Sequence, residues 1–316
     1  MNVLYLAGNV VLSAFSAMLI KKSKNIAGSG WYEGLFFTLF VAVFSIVLFL
    51  LINLFRITLY PANVLFSFLY AFLGIFSTIV GLKAYASGKA ATYIIATTVG
   101  STVFPYLFGI LFWQETLTLM KSAGMALMVV VFVVKNLPSR TEKAAESEET
   151  ADGENAPAVA AVSAGKKFGF VGLCIVGALV SGLANIAVSW NARLAPLTDT
   201  VSFSVLTQAF VLVLASLMMA VRVPAVKRTL AENKSVYGRK NILVSLVYAA
   251  SCGTALIFSL EAAKTLPASV LFPVTCSGNI ILVTLFDSLF YKEKFTKRDL
   301  LSTLLILPAI VLVALG

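Results

Sequence analysis

Histidine is absent from the chain, and only three cysteines occur, Cys174, Cys252 and Cys276. All three lie inside apolar runs, which excludes a disulfide framework and leaves no ligand spacing for a metal. Charge is scarce too: Lys, Arg, Asp and Glu make up 12% of 316 residues, about half the share usual in soluble domains. With no histidine and few acids inside the apolar runs, His-dependent chemistry and membrane-embedded metalloproteolysis are excluded. No enzyme activity, cofactor or metal is expected. No ATP-binding motif occurs, which argues against a primary pump. No basic residue precedes the first apolar run, so no cleavable signal peptide is expected.

What the chain has in abundance is apolar sequence, at 59% of residues. Runs of about 20 apolar residues recur along it, the length that crosses a bilayer as helix. Lipid offers the backbone no water, so helices are required. The expected fold is all-α: a polytopic membrane protein with ten transmembrane helices, at roughly 2–20, 34–55, 63–82, 90–112, 117–134, 168–190, 201–221, 241–260, 268–290 and 299–315. Between the fifth and sixth spans lies a polar segment, residues 135–167. It is rich in Glu, Ala and Ser with no aromatic at its centre, and reads as a disordered tether.

The net charge is +10, yet nucleic acid is not the expected partner, because the charges sit in loops between spans. The odd-numbered loops carry 20 of the 24 Lys and Arg, and the even-numbered loops carry Arg56, Lys121, Arg193 and Lys264. The positive-inside rule places the odd loops in the cytoplasm and both termini outside.

The chain also repeats itself. A shift of 178 positions lays Ala90–Thr118 on Ala268–Thr296, matching Ala90 with Ala268, Thr97 with Thr275, Gly100 with Gly278, Glu115 with Glu293 and Thr118 with Thr296. The same shift pairs Tyr70-Ala71 with Tyr248-Ala249. Each half, 1–134 and 168–316, then holds five spans. An odd number sends the second half through the membrane upside down, an inverted repeat of the kind that builds transporter sites near the midplane.

The polar residues inside spans are the candidate site. Thr97 and Ser101 share one helix face, as do their repeat partners Thr275 and Asn279. Pro105 leaves the Ser101 carbonyl without its helical donor, so that carbonyl needs a cavity or a partner. Asn9 and Ser13 lie mid-span in the first helix, Ser181 and Asn185 in the sixth, Gln208 in the seventh. An amide at that depth must be paired or wet. Substrate contact competes here with plain interhelical hydrogen bonding, which Gly100 and Gly278 favour by close packing. Tyr70 and Tyr248 present hydroxyls to the same region or serve as core aromatics. Asp287, the acid well inside a span, is a candidate coupling group, or pairs with a nearby Lys. Glu115 and Glu293 close their helices beside Trp113 and Tyr291 and read as helix caps or loop braces. Lys83 and Glu261 are repeat-equivalent charges at span ends, and read as gate charges or ordinary boundary charges. Trp31, Tyr32, Trp113, Trp190 and Tyr291 read as interfacial belts.

The ends of the halves, AYASGKAATYIIATTVGSTVFPYLFGILFWQETLT and EAAKTLPASVLFPVTCSGNIILVTLFDSLFYKEKFT, resemble the drug/metabolite transporter superfamily in its ten-span, EamA-like branch. The shared features are a short Ala-rich connector, a span with mid-helix Gly and Pro, a terminal Glu-x-x-Thr and one last apolar helix. The resemblance implies a ten-helix bundle around a central cavity lined by spans one, three, four, six, eight and nine, and alternating access for small metabolites or drugs. Two features depart from it. Many such relatives are described with both termini inside, and small four-span cousins carry a proton-coupling Glu in a first helix that here holds Asn9 and no acid.

The expected function is secondary transport of a small polar metabolite, neutral, zwitterionic or weakly anionic, across a cell membrane, expected to be a bacterial cytoplasmic one. The expected partners are that substrate and membrane lipid, with the chain acting as a monomer or homodimer. Two alternatives remain open: a multidrug exporter coupled through Asp287, and a non-transporting membrane subunit.

Overall fold

Proline, glycine and asparagine mark the helix ends. Pro61 opens a helix at the first position, where a missing N–H is harmless. Asp199 caps another by accepting from Ser202 N at 2.8 Å. Gly30 and Gly238 stand at N-caps, and Gly28 leaves the first helix at φ +95°, which a side chain would resist.

The structure is a computed structural model that describes residues 2–28, 30–85, 90–136, 156–194, 198–290 and 297–315. Among these residues the regular structure is all helix: α1 (Asn2–Ala27), α2 (Trp31–Ile52), α3 (Pro61–Tyr85), α4 (Ala90–Trp113), α5 (Leu119–Asn136), α6 (Ala156–Arg193), α7 (Thr200–Val221), α8 (Val223–Glu232), a 3-10 turn (Lys234–Tyr237), α9 (Arg239–Ala263), α10 (Ala268–Phe290) and α11 (Lys297–Leu315). The sequence reading left residues 156–167 in a tether, but α6 begins at Ala156 and takes them in. Their alanines favour helix. The rest of that segment, 137–155, lies outside the described residues.

Eight of these helices, α1–α4, α6, α7, α9 and α10, are long and apolar enough to cross a membrane. The other two expected spans are shorter apolar helices, Leu119–Val133 and Leu300–Leu315. They pack on each other as α5 and α11, with Met128, Phe132, Ala309 and Val313 buried between them. Large apolar side chains stay exposed all round the bundle, Leu111, Leu217 and Leu289 among them. In water such a surface would drive association; it suits a multi-pass membrane protein.

The packing interleaves the two halves of the chain. α1 lies against α9 and α10, and α2 against α9; α3 lies against α6 and α7, and α4 against α6. These two groups meet along α2–α7 and α4–α10; α5 packs beside α4 and α11 beside α10, and the two meet each other. Each group therefore draws helices from both halves. Small residues make this possible: Gly100 approaches the Ala178 backbone, Gly182 the Phe104 ring and Gly177 the Tyr93 ring, all between α4 and α6.

Candidate functional site

Where α4 crosses α10, the bonding partners of the polar stripes are visible. Thr97 Oγ1 donates to Tyr93 O and Ile94 O, both at 3.1 Å. Thr275 Oγ1 donates to Leu271 O at 2.9 Å and Phe272 O at 3.1 Å. The acceptors are 178 apart, so the two threonines make the same bonds to their own helices. Both hydroxyls still have lone pairs to offer. Ser101 Oγ donates to Thr98 O at 2.8 Å and lies 3.8 Å from Cys276 Sγ across the crossing. Asn279 Oδ1 is buried with no hydrogen-bond partner among the described residues.

Asn185 has a definite task. Its Nδ2 donates to Ser101 O at 2.8 Å, the carbonyl that Pro105 leaves without a helical donor. α6 thus supplies α4 with the bond that proline removes. Asn185→Leu should lower stability by about 1–2 kcal/mol, the range for interhelical hydrogen bonds in lipid. Adding Pro105→Ala should return most of it, because an alanine there restores a backbone N–H that can reach Ser101 O. The check is thermal unfolding of the single and double variants; an unrescued double variant contradicts the assignment.

Asn9 is buried on α1 and accepts from Ser13 at 3.0 Å, so it pairs within its own helix. Further along, Ser16 meets Ser251 of α9 at 3.0 Å. Tyr70 and Tyr248 are repeat-equivalent and half-buried. Each ring rests on a phenylalanine: Tyr70 on Phe203 of α7, centroids 6.1 Å apart, and Tyr248 on Phe37 of α2 at 5.2 Å. Gln208 is half-buried on α7, which packs on α2, α3 and α9 rather than on the α4–α10 crossing. The Asp287 side chain and the whole of Glu293 lie outside the described residues.

Glu115 does more than close its helix. Gln114 takes φ 52° and Glu115 N donates to Gly109 O, six residues back, at 3.1 Å, which turns the chain back at the end of α4. The Glu115 side chain then lies over Gly109, where a Cβ would strike it. Its carboxylate accepts from the backbone of Ala268 at 2.9 Å and Ser269 at 3.0 Å, capping α10, and pairs with Arg193 from the end of α6. The Arg193 guanidinium lies 4.0 Å from the Trp113 ring centre. On the same face, Thr200 of α7 donates to Glu261 of α9 at 2.6 Å, and Lys264 pairs with that carboxylate. Trp113, read from sequence as a belt residue, thus takes a cation on its ring face.

One repeated motif escaped the sequence reading. Residues 63–71, NVLFSFLYA, and 241–249, NILVSLVYA, align at the same shift of 178. Asn63, Ser67, Asn241 and Ser245 are all buried. Asn63 Nδ2 donates to Asp199 O and Ser67 Oγ to Phe203 O, both at 3.1 Å, joining α3 to α7. Asn241 instead donates to Val236 O and Ser245 to Asn241 O, both at 2.8 Å, within their own segment. Carrying the repeat seven residues upstream of Tyr70 would have found the motif.

No family model matches the chain, and no curated protein does. Twenty-seven solved chains match its fold. One of them, described as "Crystal structure of protein", aligns over 99% of this chain and 96% of its own, with a TM-score of 0.70 and 14% identity. The likeness is one of fold along the full length.

Proposed function

We propose that the chain is a ten-span secondary transporter, built from two five-helix repeats threaded in opposite senses, that moves a small polar metabolite by alternating access. The observation that carries this reading is the crossing of α4 and α10, partners in the proposed repeat, where Ser101 Oγ lies 3.8 Å from Cys276 Sγ and the buried Asn279 Oδ1 has no hydrogen-bond partner among the described residues. Polar groups that two inverted repeats bring to one level are what a transporter site is built from.

Three further observations support it. The bounds of α3, α4 and α5 carry over to α9, α10 and α11 at the shift of 178, within a residue. Exchanging the halves turns the α1–α9 and α1–α10 pairings into α6–α3 and α6–α4, which also occur. The bonds made by Glu115 and Glu261 link the two packing groups at one face, as a closed gate would. The groups at the centre are amides, hydroxyls and rings, so the favoured substrate is neutral, zwitterionic or weakly anionic. The basic odd loops set the proposed orientation, with the gate of Glu115 outward and both termini outside the cell membrane.

Reconstitution into liposomes and a screen of labelled metabolites tests the reading. Asn279→Leu should cut uptake at least tenfold, at about a factor of ten per 1.4 kcal/mol of lost binding, with thermal stability unchanged. Wild-type uptake by that variant removes Asn279 from the site. A wild-type protein that moves nothing in a broad panel defeats the transport reading.

A further inference from the structure

The connection between α7 and α9 takes no part in the candidate site. It runs over residues 222–238, against residues 53–60 for the connection between α2 and α3. The surplus is α8 and the 3-10 turn, and it is basic. Arg222, Lys227, Arg228, Lys234, Arg239 and Lys240 are all exposed or half-buried cations of this stretch. Glu232 is the lone acid among them and is bonded to Arg228 at 2.7 Å. The shorter connection carries Arg56 alone.

These cations are held in place. Asn233 Nδ2 donates to Ala27 O at 2.6 Å, and Ser23 Oγ donates to Asn241 Oδ1 at 2.8 Å. Val236 between them is fully buried. The bonds staple the 3-10 turn and the start of α9 to the end of α1, beside the exposed Lys22 and Lys24. Like charges gathered on three neighbouring elements repel one another within a Debye length of about 8 Å. A fold that pins them together in this way suits a layer of anions lying over them.

The depth of the patch identifies the anions. Val226 of α8 packs on the buried cluster of Leu35, Ala215 and Met219, on which Trp31 and Tyr32 also rest. Tryptophan and tyrosine at a span end mark the level where hydrocarbon gives way to headgroups. Val223 and Tyr237 stay exposed among the cations, at 44% and 46%. A short helix with a basic face and an apolar edge at that level is built to lie in the interface, where the anions present are lipid phosphates.

We propose that α8, the 3-10 turn and the end of α1 form a binding surface for the headgroups of anionic phospholipids. The cations meet the phosphates, and Val223 and Tyr237 meet the upper acyl chains. The surface is independent of whatever the centre of the bundle transports.

The test uses the full chain in a neutral detergent, supplemented with phosphatidylglycerol or with phosphatidylcholine, and reads both Tm and the lipids retained in native mass spectra. Phosphatidylglycerol should raise Tm more than phosphatidylcholine and should be the lipid retained. Each cation removed should weaken binding about fivefold, so a triple variant, Lys227→Gln with Arg222→Gln and Lys240→Gln, should lose on the order of a hundredfold. Its Tm in phosphatidylcholine should match wild type, because all three side chains lie at the surface. Arg56→Gln, on the other connection, should keep the full response. If the triple variant fails to fold, Lys240→Gln alone should still show about a fivefold loss. Equal stabilisation by the two lipids overturns the proposal, as does a full response in the triple variant. So does an equal rise in Tm with inorganic phosphate, which would mark a site for free anions.

Discussion

Glu115→Leu should be among the most destabilising single substitutions in the chain, at about 3–5 kcal/mol, the range for removing one partner of a buried ion pair. The Glu115 side chain is only 7% exposed and accepts from two backbone amides as well as Arg193. Leucine leaves three donors unanswered. Two of them are at the first turn of α10, where the helix dipole adds to the loss. Thermal unfolding in detergent should show Tm falling by on the order of 10 °C. Glu115→Gln keeps an acceptor oxygen and should lose about a third as much. Adding Arg193→Met to Glu115→Leu removes the stranded cation and should recover part of the loss. If Glu115→Leu melts within a degree or two of wild type, the carboxylate does not hold α10.

Gly100→Ala should be nearly as severe, at about 3 kcal/mol. A Cβ on Gly100 would sit 2.5 Å from Ala178 Cα and still closer to its carbonyl oxygen. Both are backbone atoms, so α4 and α6 must move apart as bodies, straining the Asn185–Ser101 bond. The repeat-equivalent Gly278 provides the contrast. Its added Cβ would meet Val10 Cγ1 at 2.8 Å, the end of a side chain that can turn, so Gly278→Ala should lose about 1 kcal/mol. Gly74 has nothing within 4 Å of a Cβ, and Gly74→Ala should gain about 0.5–1 kcal/mol from helix propensity. The expected order of Tm is Gly74→Ala, wild type, Gly278→Ala, Gly100→Ala. Equal losses at the two repeat-equivalent glycines would show that the α4–α6 contact is not so close.

The sequence foretold the helices well because membrane spans obey two simple constraints, length and apolarity. The Ala268–Phe290 helix begins at the predicted residue and ends where the apolar run ends. Side-chain partners were harder, because they depend on which helices lie side by side. The need of Ser101 O for a donor followed from Pro105 alone. That Asn185 meets it depends on α6 packing on α4, which no spacing within one helix reveals. Glu115 reads from sequence as a cap or brace where its own helix ends, but it caps a distant helix, since its chain reversal at Gln114 requires a φ that the residue type does not announce. α8 was missed for a different reason. Its ten residues carry more charge than a span allows, and a search for spans passes over them.

The buried amides of Asn63 and Asn241 stand at the same point of the proposed repeat, yet Asn63 donates to the cap of α7, whereas Asn241 donates within its own segment and accepts from Ser23 of α1. In a symmetric pair of separate five-helix chains, both copies would have to make the same choice. If two such units are fused into one polypeptide, as proposed here, that obligation lifts, and each can hold its own pairing with only five of nine letters in common.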